Sequence, residues 1–120
     1  MKLLLLSICV LLLSVSNLNA QSIKPEEAAK HVGESVTVCG KVFGGKYFDR
    51  AAKKVTLLNM GAAYPDQPIT IVFYDEIRSK LSYKPEEKWK DKTICVTGKI
   101  ELFKEKPQIV VEKEEQVKEQ

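Results

Sequence analysis

The sequence is short of nearly everything that advertises chemistry. It has three cysteines, one histidine and one tryptophan in 120 residues. Structural zinc takes four ligands, usually Cys or His. Cys39, Cys95 and His31 do not supply four, so no metal site is expected. His-Glu-x-x-His, Gly-x-Ser-x-Gly and a glycine-rich phosphate loop are all missing. Asp49, Asp66, Asp75 and Arg50 fall in separate segments with no motif joining them. Neither catalysis nor a cofactor is expected. Charge of one sign is lacking as well, with 19 Lys+Arg against 16 Asp+Glu. A balance of that kind does not by itself announce a nucleic-acid binder.

Long apolar runs are lacking, with one exception. Residues 3–13 are almost unbroken Leu, Ile, Cys and Val, after a positive Met1-Lys2 start. Residues 14–20 are small and polar and end in Ala20. That is the layout of a secretory signal peptide. The run is shorter than the roughly 20 residues a spanning helix needs. The expectation is an exported protein, periplasmic or extracellular, cleaved near Ala20 and not held in a membrane. Removing Lys2 leaves 18 basic against 16 acidic residues, a net charge of +2. Removing Cys9 leaves Cys39 and Cys95.

What is present is a repeated phrase. KPEEAAKHVGESVTVCGKV begins at Lys24, and KPEEKWKDKTICVTGKI begins at Lys84. Each opens on Lys-Pro-Glu-Glu and ends in an alternating run with one cysteine and a Gly-Lys pair. Pro suits the first position of a helical turn and Glu its positive end. The alternation that follows is strand periodicity. In the first copy Val36, Val38, Gly40 and Val42 share a face; in the second Ile94, Val96, Gly98, Ile100 and Leu102 do. Both cysteines then lie on the opposite face, away from the core. An exported pair invites a disulfide. By loop entropy such a bridge is worth about 4 kcal/mol. The sequence leaves open whether the two are bonded or are separate half-buried thiols, because register is not legible from one strand alone.

Between the copies lie two further strands, residues 55–60 (VTLLNM) and 69–74 (ITIVFY), separated by the turn residues YPDQP. Asp75 is placed to cap a short helix. Lys104–Pro107 turns the chain into a last strand at 108–111. The expected order is helix, three strands, helix, two strands. The expected divisions are a leader at 1–20, a short helix at 21–33, a β domain at 34–111 and a charged, solvated, flexible tail at 112–120.

The segments VTVCGKV (36–42), TLLNMG with YPDQPITIVFY (56–74), and KTICVTGKIELFKEKPQIVV (92–111) resemble a small exported OB-fold protein. They are similar to nucleic-acid-binding OB domains of the tRNA-anticodon-binding and helicase-associated type. The resemblance implies an all-β protein with short helices, a five-stranded Greek-key β-barrel in which the two cysteine-bearing strands are neighbours. OB barrels bind oligonucleotides or sugars across strands two and three, between two rim loops. Mapped onto this sequence, the binding residues are Lys46, Tyr47, Arg50, Lys53, Lys54, Tyr74, Lys104 and Lys106. Aromatics beside cations suit a single strand, since bases stack on rings and ammonium groups follow phosphates. The implied partner is single-stranded nucleic acid. The alternative is a protein- or glycan-binding envelope module using the same groove.

Overall fold

The computed structural model describes residues 22–120, so the expected leader lies outside the described residues. From Ser22 onward the chain is mostly β-sheet with a few short helical turns. The strands are β1 (Ser22–Ile23), β2 (Ser35–Phe48), β3 (Val55–Met60), β4 (Ile69–Tyr74), β5 (Thr93–Lys99), β6 (Glu101–Phe103), β7 (Lys106–Val110) and β8 (Val117–Glu119). A 3-10 helix spans Pro25–His31 and another Glu114–Gln116; the two α-helical turns are α1 (Asp75–Arg78) and α2 (Pro85–Lys88).

Eight strands stand where five were expected, for three reasons. Residues 22–23 add a parallel strand beside β2. The expected fourth strand breaks at Ile100, whose N–H and C=O turn to Glu34 and Gly33, at 3.0 and 2.7 Å. Its two halves, β5 and β6, then pair with different partners, β2 and β7. The third addition is β8, from the segment expected to be a solvated tail. The hydrogen-bonded path runs β6-β7-β4-β3-β2-β5-β8 in one mixed sheet, with β4 and β7 parallel.

That last segment folds back because two side chains give it a place. Val117 is buried opposite Val96. Gln116 uses its whole amide: Nε2 donates to the Thr97 carbonyl, and Oε1 accepts from the Glu112 and Lys113 N–H groups, each at 2.8 Å. One apolar residue and one glutamine are enough to turn a charged nine-residue segment into a strand on the edge of β5.

The repeated phrase builds one structure. Each Lys-Pro-Glu-Glu forms a helical turn, and the strands they lead into, β2 and β5, are antiparallel neighbours. Their register runs from Ser35↔Lys99 to Lys41↔Thr93 and sets Val38 opposite Val96, both fully buried. On the outer face Cys39 stands directly opposite Cys95 with Cα atoms 4.0 Å apart, and the two are bonded. Beside them Thr37 Oγ1 and Thr97 Oγ1 share a hydrogen bond of 2.7 Å. Gly40 is small for a packing reason: a Cβ there would come within 2.5 Å of the Pro25 ring. The first helix therefore seats directly on the strand that follows it.

β2 runs through the Gly44-Gly45 pair to Phe48. Gly44, with φ +122°, sits in the register shift between the Val42↔Met60 and Gly45↔Leu58 pairs. The strand changes partner just before this point, from β5 up to Lys41 to β3 from Val42, and the bulge resets the β2–β3 register for the rest of its length. The core gathers between the sheet's faces: Val38, Val42, Leu58, Met60, Ile71, Phe73, Ile94, Val96, Ile100 and Ile109, closed by Ile77 and Trp89 from the α1 and α2 region. Phe73 is fully buried and belongs to this core.

The bridge closes a separation of 56 residues. Replacing both cysteines with alanine is expected to lower the unfolding free energy by about 2–4 kcal/mol, measured by urea unfolding. The native spectrum should survive, because the β2–β5 ladder is intact without the sulfurs. Equal stability with and without the pair would show that the bond does not constrain the unfolded chain.

Candidate nucleic-acid interface

The outer face of β3 and β4 carries a groove of about 480 Å³. Strand alternation sets its floor. In β3, Thr56, Leu58 and Met60 point inward, which leaves Val55 and Leu57 outside. In β4, Thr70, Val72 and Tyr74 face the groove, and Val72 is 1% exposed although it lies outside the main core cluster. β7 brings Gln108 beside Thr70. The β3–β4 loop contributes Tyr64 and Gln67, and the β6–β7 hairpin contributes Phe103, Lys104, Lys106 and Pro107.

Of the expected residues, Lys53, Tyr74, Lys104 and Lys106 line this groove. Lys46 pairs with Leu57 and so stands on the same face, next along the sheet. Arg50 and Lys54 are exposed on the β2–β3 connection and do not line it. Tyr47 is turned the other way. It pairs with the fully buried Thr56, on the opposite face from Lys46 and Phe48. Its hydroxyl donates to Asp75 Oδ1 at 3.0 Å, and the Arg78 guanidinium lies over its ring at 3.5 Å. Arg78 in turn donates to Glu86 Oε2 at 2.7 Å, with both side chains mostly buried. The network ties the far end of the β2–β3 hairpin to α1 and α2. Asp75 is therefore no cap: Tyr74 occupies the N-cap position without a side-chain bond, and the Asp75 carboxylate serves Tyr47.

Two groove aromatics were not picked out from sequence. Phe103 is 58% exposed and Tyr64 is 74% exposed. The signal for Phe103 was present, since the alternation that sends Ile100 inward sends Phe103 out. Tyr64 had none, because its place beside β4 follows from the path of the YPDQP turn.

The electrostatics favour an anion. Three lysines line the groove and no Asp, Glu, His or Cys does. Lysines also sit on its rings: Lys53 Nζ is 4.2 Å from the Tyr74 centroid, and Lys104 Nζ is 5.4 Å from that of Phe103. Lys46 lies 5.1 Å from the centroid of Phe48, next along the same face. Each such pair contributes about 0.5–1 kcal/mol at an exposed site. The polar groups of the groove are amides and hydroxyls: Gln67 Nε2 donates to Thr70 Oγ1 at 3.2 Å, and Gln108 lies next to them. Compared with known proteins, the chain matches no family model and no curated protein.

Nothing in the groove resembles a nucleophile with its base. Among the described residues no group of three or more His, Cys, Asp or Glu side chains is placed to hold a metal ion. His31 is paired with Glu34 through Nδ1 at 3.0 Å, on the first helical turn.

The Tyr47 phenol is held above the ordinary tyrosine range by partial burial first, then by its hydrogen bond and its charge contact with the Asp75 carboxylate. Burial and an anionic acceptor both favour the neutral phenol. The folded state thus keeps this proton longer than the unfolded chain, whose tyrosines titrate near 10. The stabilisation is complete below that pH and is lost as pH rises through the folded value. An ultraviolet absorbance titration of Tyr47→Phe should lack one late-titrating phenol. A curve in which only an ordinary phenol disappears would show that the Asp75 contact does not govern Tyr47.

Proposed function

We propose that this protein is a non-enzymatic OB-fold binding module that takes single-stranded nucleic acid across β3 and β4. The fold reading rests on connectivity. Only Ile100 separates β5 from β6. On this reading they count as one bent strand that joins β2 on one side to β7 on the other, and the pairings of β2, β3, β4, β7 and β5–β6 support a ring of five. Around that ring the five pairings run antiparallel, antiparallel, parallel, antiparallel, antiparallel, which suits a Greek-key barrel of this kind. β1 and β8 then sit outside the ring as additions to the β2–β5 side. The groove falls where OB barrels take oligonucleotides, on the face of the second and third staves.

The observation that carries the ligand is the groove's composition: aromatic rings with lysines over them, an apolar floor and no carboxylate. Bases have apolar faces that stack on exposed rings at about 1–3 kcal/mol each, and the backbone between them is a string of monoanions. A duplex hides its base faces, so rings of this kind are useful only to an unpaired strand. Lys53, Lys104 and Lys106 are the phosphate contacts, with Lys46 extending the track. Phe103, Tyr74 and Tyr64 are the stacking surfaces. Arg50 and Lys54 contribute at longer range, and Tyr47 holds the scaffold without touching the ligand. Export to the periplasm or beyond, with a leader cleaved near Ala20, remains part of this reading.

Binding of the full chain to a labelled single-stranded oligonucleotide, followed across a salt series, tests it. Three to four phosphate contacts predict a slope of log K against log salt of roughly −2 to −3 for a single strand. Phe103→Ala and Tyr64→Ala should each weaken binding by about 1–3 kcal/mol, while Tyr47→Phe leaves it unchanged. Flat or absent binding would reject the nucleic-acid reading and favour a protein or glycan in the same groove.

A further inference from the structure

Six described residues have a positive φ. Three are glycines, Gly33, Gly44 and Gly61, and one is Asp91, of a type that tolerates this conformation. The other two are Lys104 at +51° and Glu105 at +68°. They are the whole loop of the β6–β7 hairpin, since Phe103 and Lys106 already pair across it. A two-residue hairpin turn with both φ angles positive is built most cheaply from Asn-Gly, Asp-Gly or Gly-Gly. A Cβ there crowds the following carbonyl and costs free energy at each residue, which Asn and Asp offset by local hydrogen bonds and Lys and Glu do not. Elsewhere the chain meets the same backbone demand with glycine or aspartate. Here it keeps a lysine.

We propose that Lys104 is retained in this strained turn because it contacts a backbone phosphate of a strand whose base stacks on Phe103, so that hairpin stability is given up for binding. This rests on the nucleic-acid reading of the groove. Lys104 lines that groove, and its ammonium stands over a ring that is more than half exposed. Holding the turn in the left-handed region projects the cation over the ring before any ligand arrives, which lowers the ordering cost of the contact. Backbone strain that persists at a ligand-facing position is the kind that function maintains.

Two single substitutions in the full chain separate strain from charge. Lys104→Asn should raise the melting temperature by roughly 2–8 °C. It should also weaken binding of a labelled oligothymidylate several-fold and make the salt slope shallower by about 0.7. Glu105→Gly should raise the melting temperature similarly while keeping the wild-type slope, because it relaxes the turn and leaves the cation. A Lys104→Asn protein that melts no higher than wild type, or that keeps the full slope, overturns the proposal. A wild-type protein that does not bind the probe at all overturns the groove reading and this inference together. That failure is recognisable because the melting temperatures need no ligand.

Discussion

The pairing of β2 with β5 is the constraint from which the rest of the structure follows. Two strands more than fifty residues apart lie in register from Ser35↔Lys99 to Lys41↔Thr93. Because side chains alternate, that register sets Val38 and Val96 facing the core and brings Cys39 onto Cys95 outside it. A slip of one residue would send every one of these to the wrong face. The sulfur bond and the Thr37–Thr97 hydrogen bond mark the same alignment from the outer side.

The candidate groove is downstream of that alignment. With β2 committed to β5 along its first half, its second half pairs with β3 from Val42 onward, and the bulge at Gly44 sets the register of that pairing. β3 and β4 then pair along their full lengths, from Val55↔Tyr74 to Met60↔Ile69. Val55, Leu57, Val72 and Tyr74 of those strands become a largely apolar floor, interrupted by Thr70, and β7 adds the hairpin that carries Phe103 and Lys104 beside it. The Tyr47–Asp75 and Arg78–Glu86 contacts tie down the other end of the hairpin. A groove held by strands on its floor needs little reordering when a ligand binds, which is where affinity is most easily lost.

Much of the fold was legible because its signals are local. β3 and β4 fall on the residues their β-branched and aromatic content marked, 55–60 and 69–74. Pro-Glu-Glu started a helical turn both times, and Val38, Val42, Ile94, Val96 and Ile100 of the inward rows are buried. Leu102, expected on the same row, is 52% exposed because the strand breaks at Ile100. Less of the site was legible. Lys53, Tyr74, Lys104 and Lys106 reached the groove, but Tyr47 turned away from it, one position out of phase with Lys46. The register shift between Val42 and Gly45 fixes that phase, and a Gly-Gly pair in a sequence does not state which way it will be resolved. The C-terminal segment misled for a similar reason: its composition is that of a solvated tail, yet one buried valine and one glutamine bonded through both ends of its amide outweigh it.

By itself the sequence determined which stretches are strands, which faces they bury and which residue types are on offer for chemistry. Those depend on periodicity and on intrinsic preferences acting over a few residues. Only the tertiary structure decided which strands meet, that Cys39 meets Cys95, and that Tyr64 and Phe103 stand over the same apolar floor. Such meetings depend on hydrogen-bond register and on the bend of each strand, which are set by contacts between residues far apart along the chain.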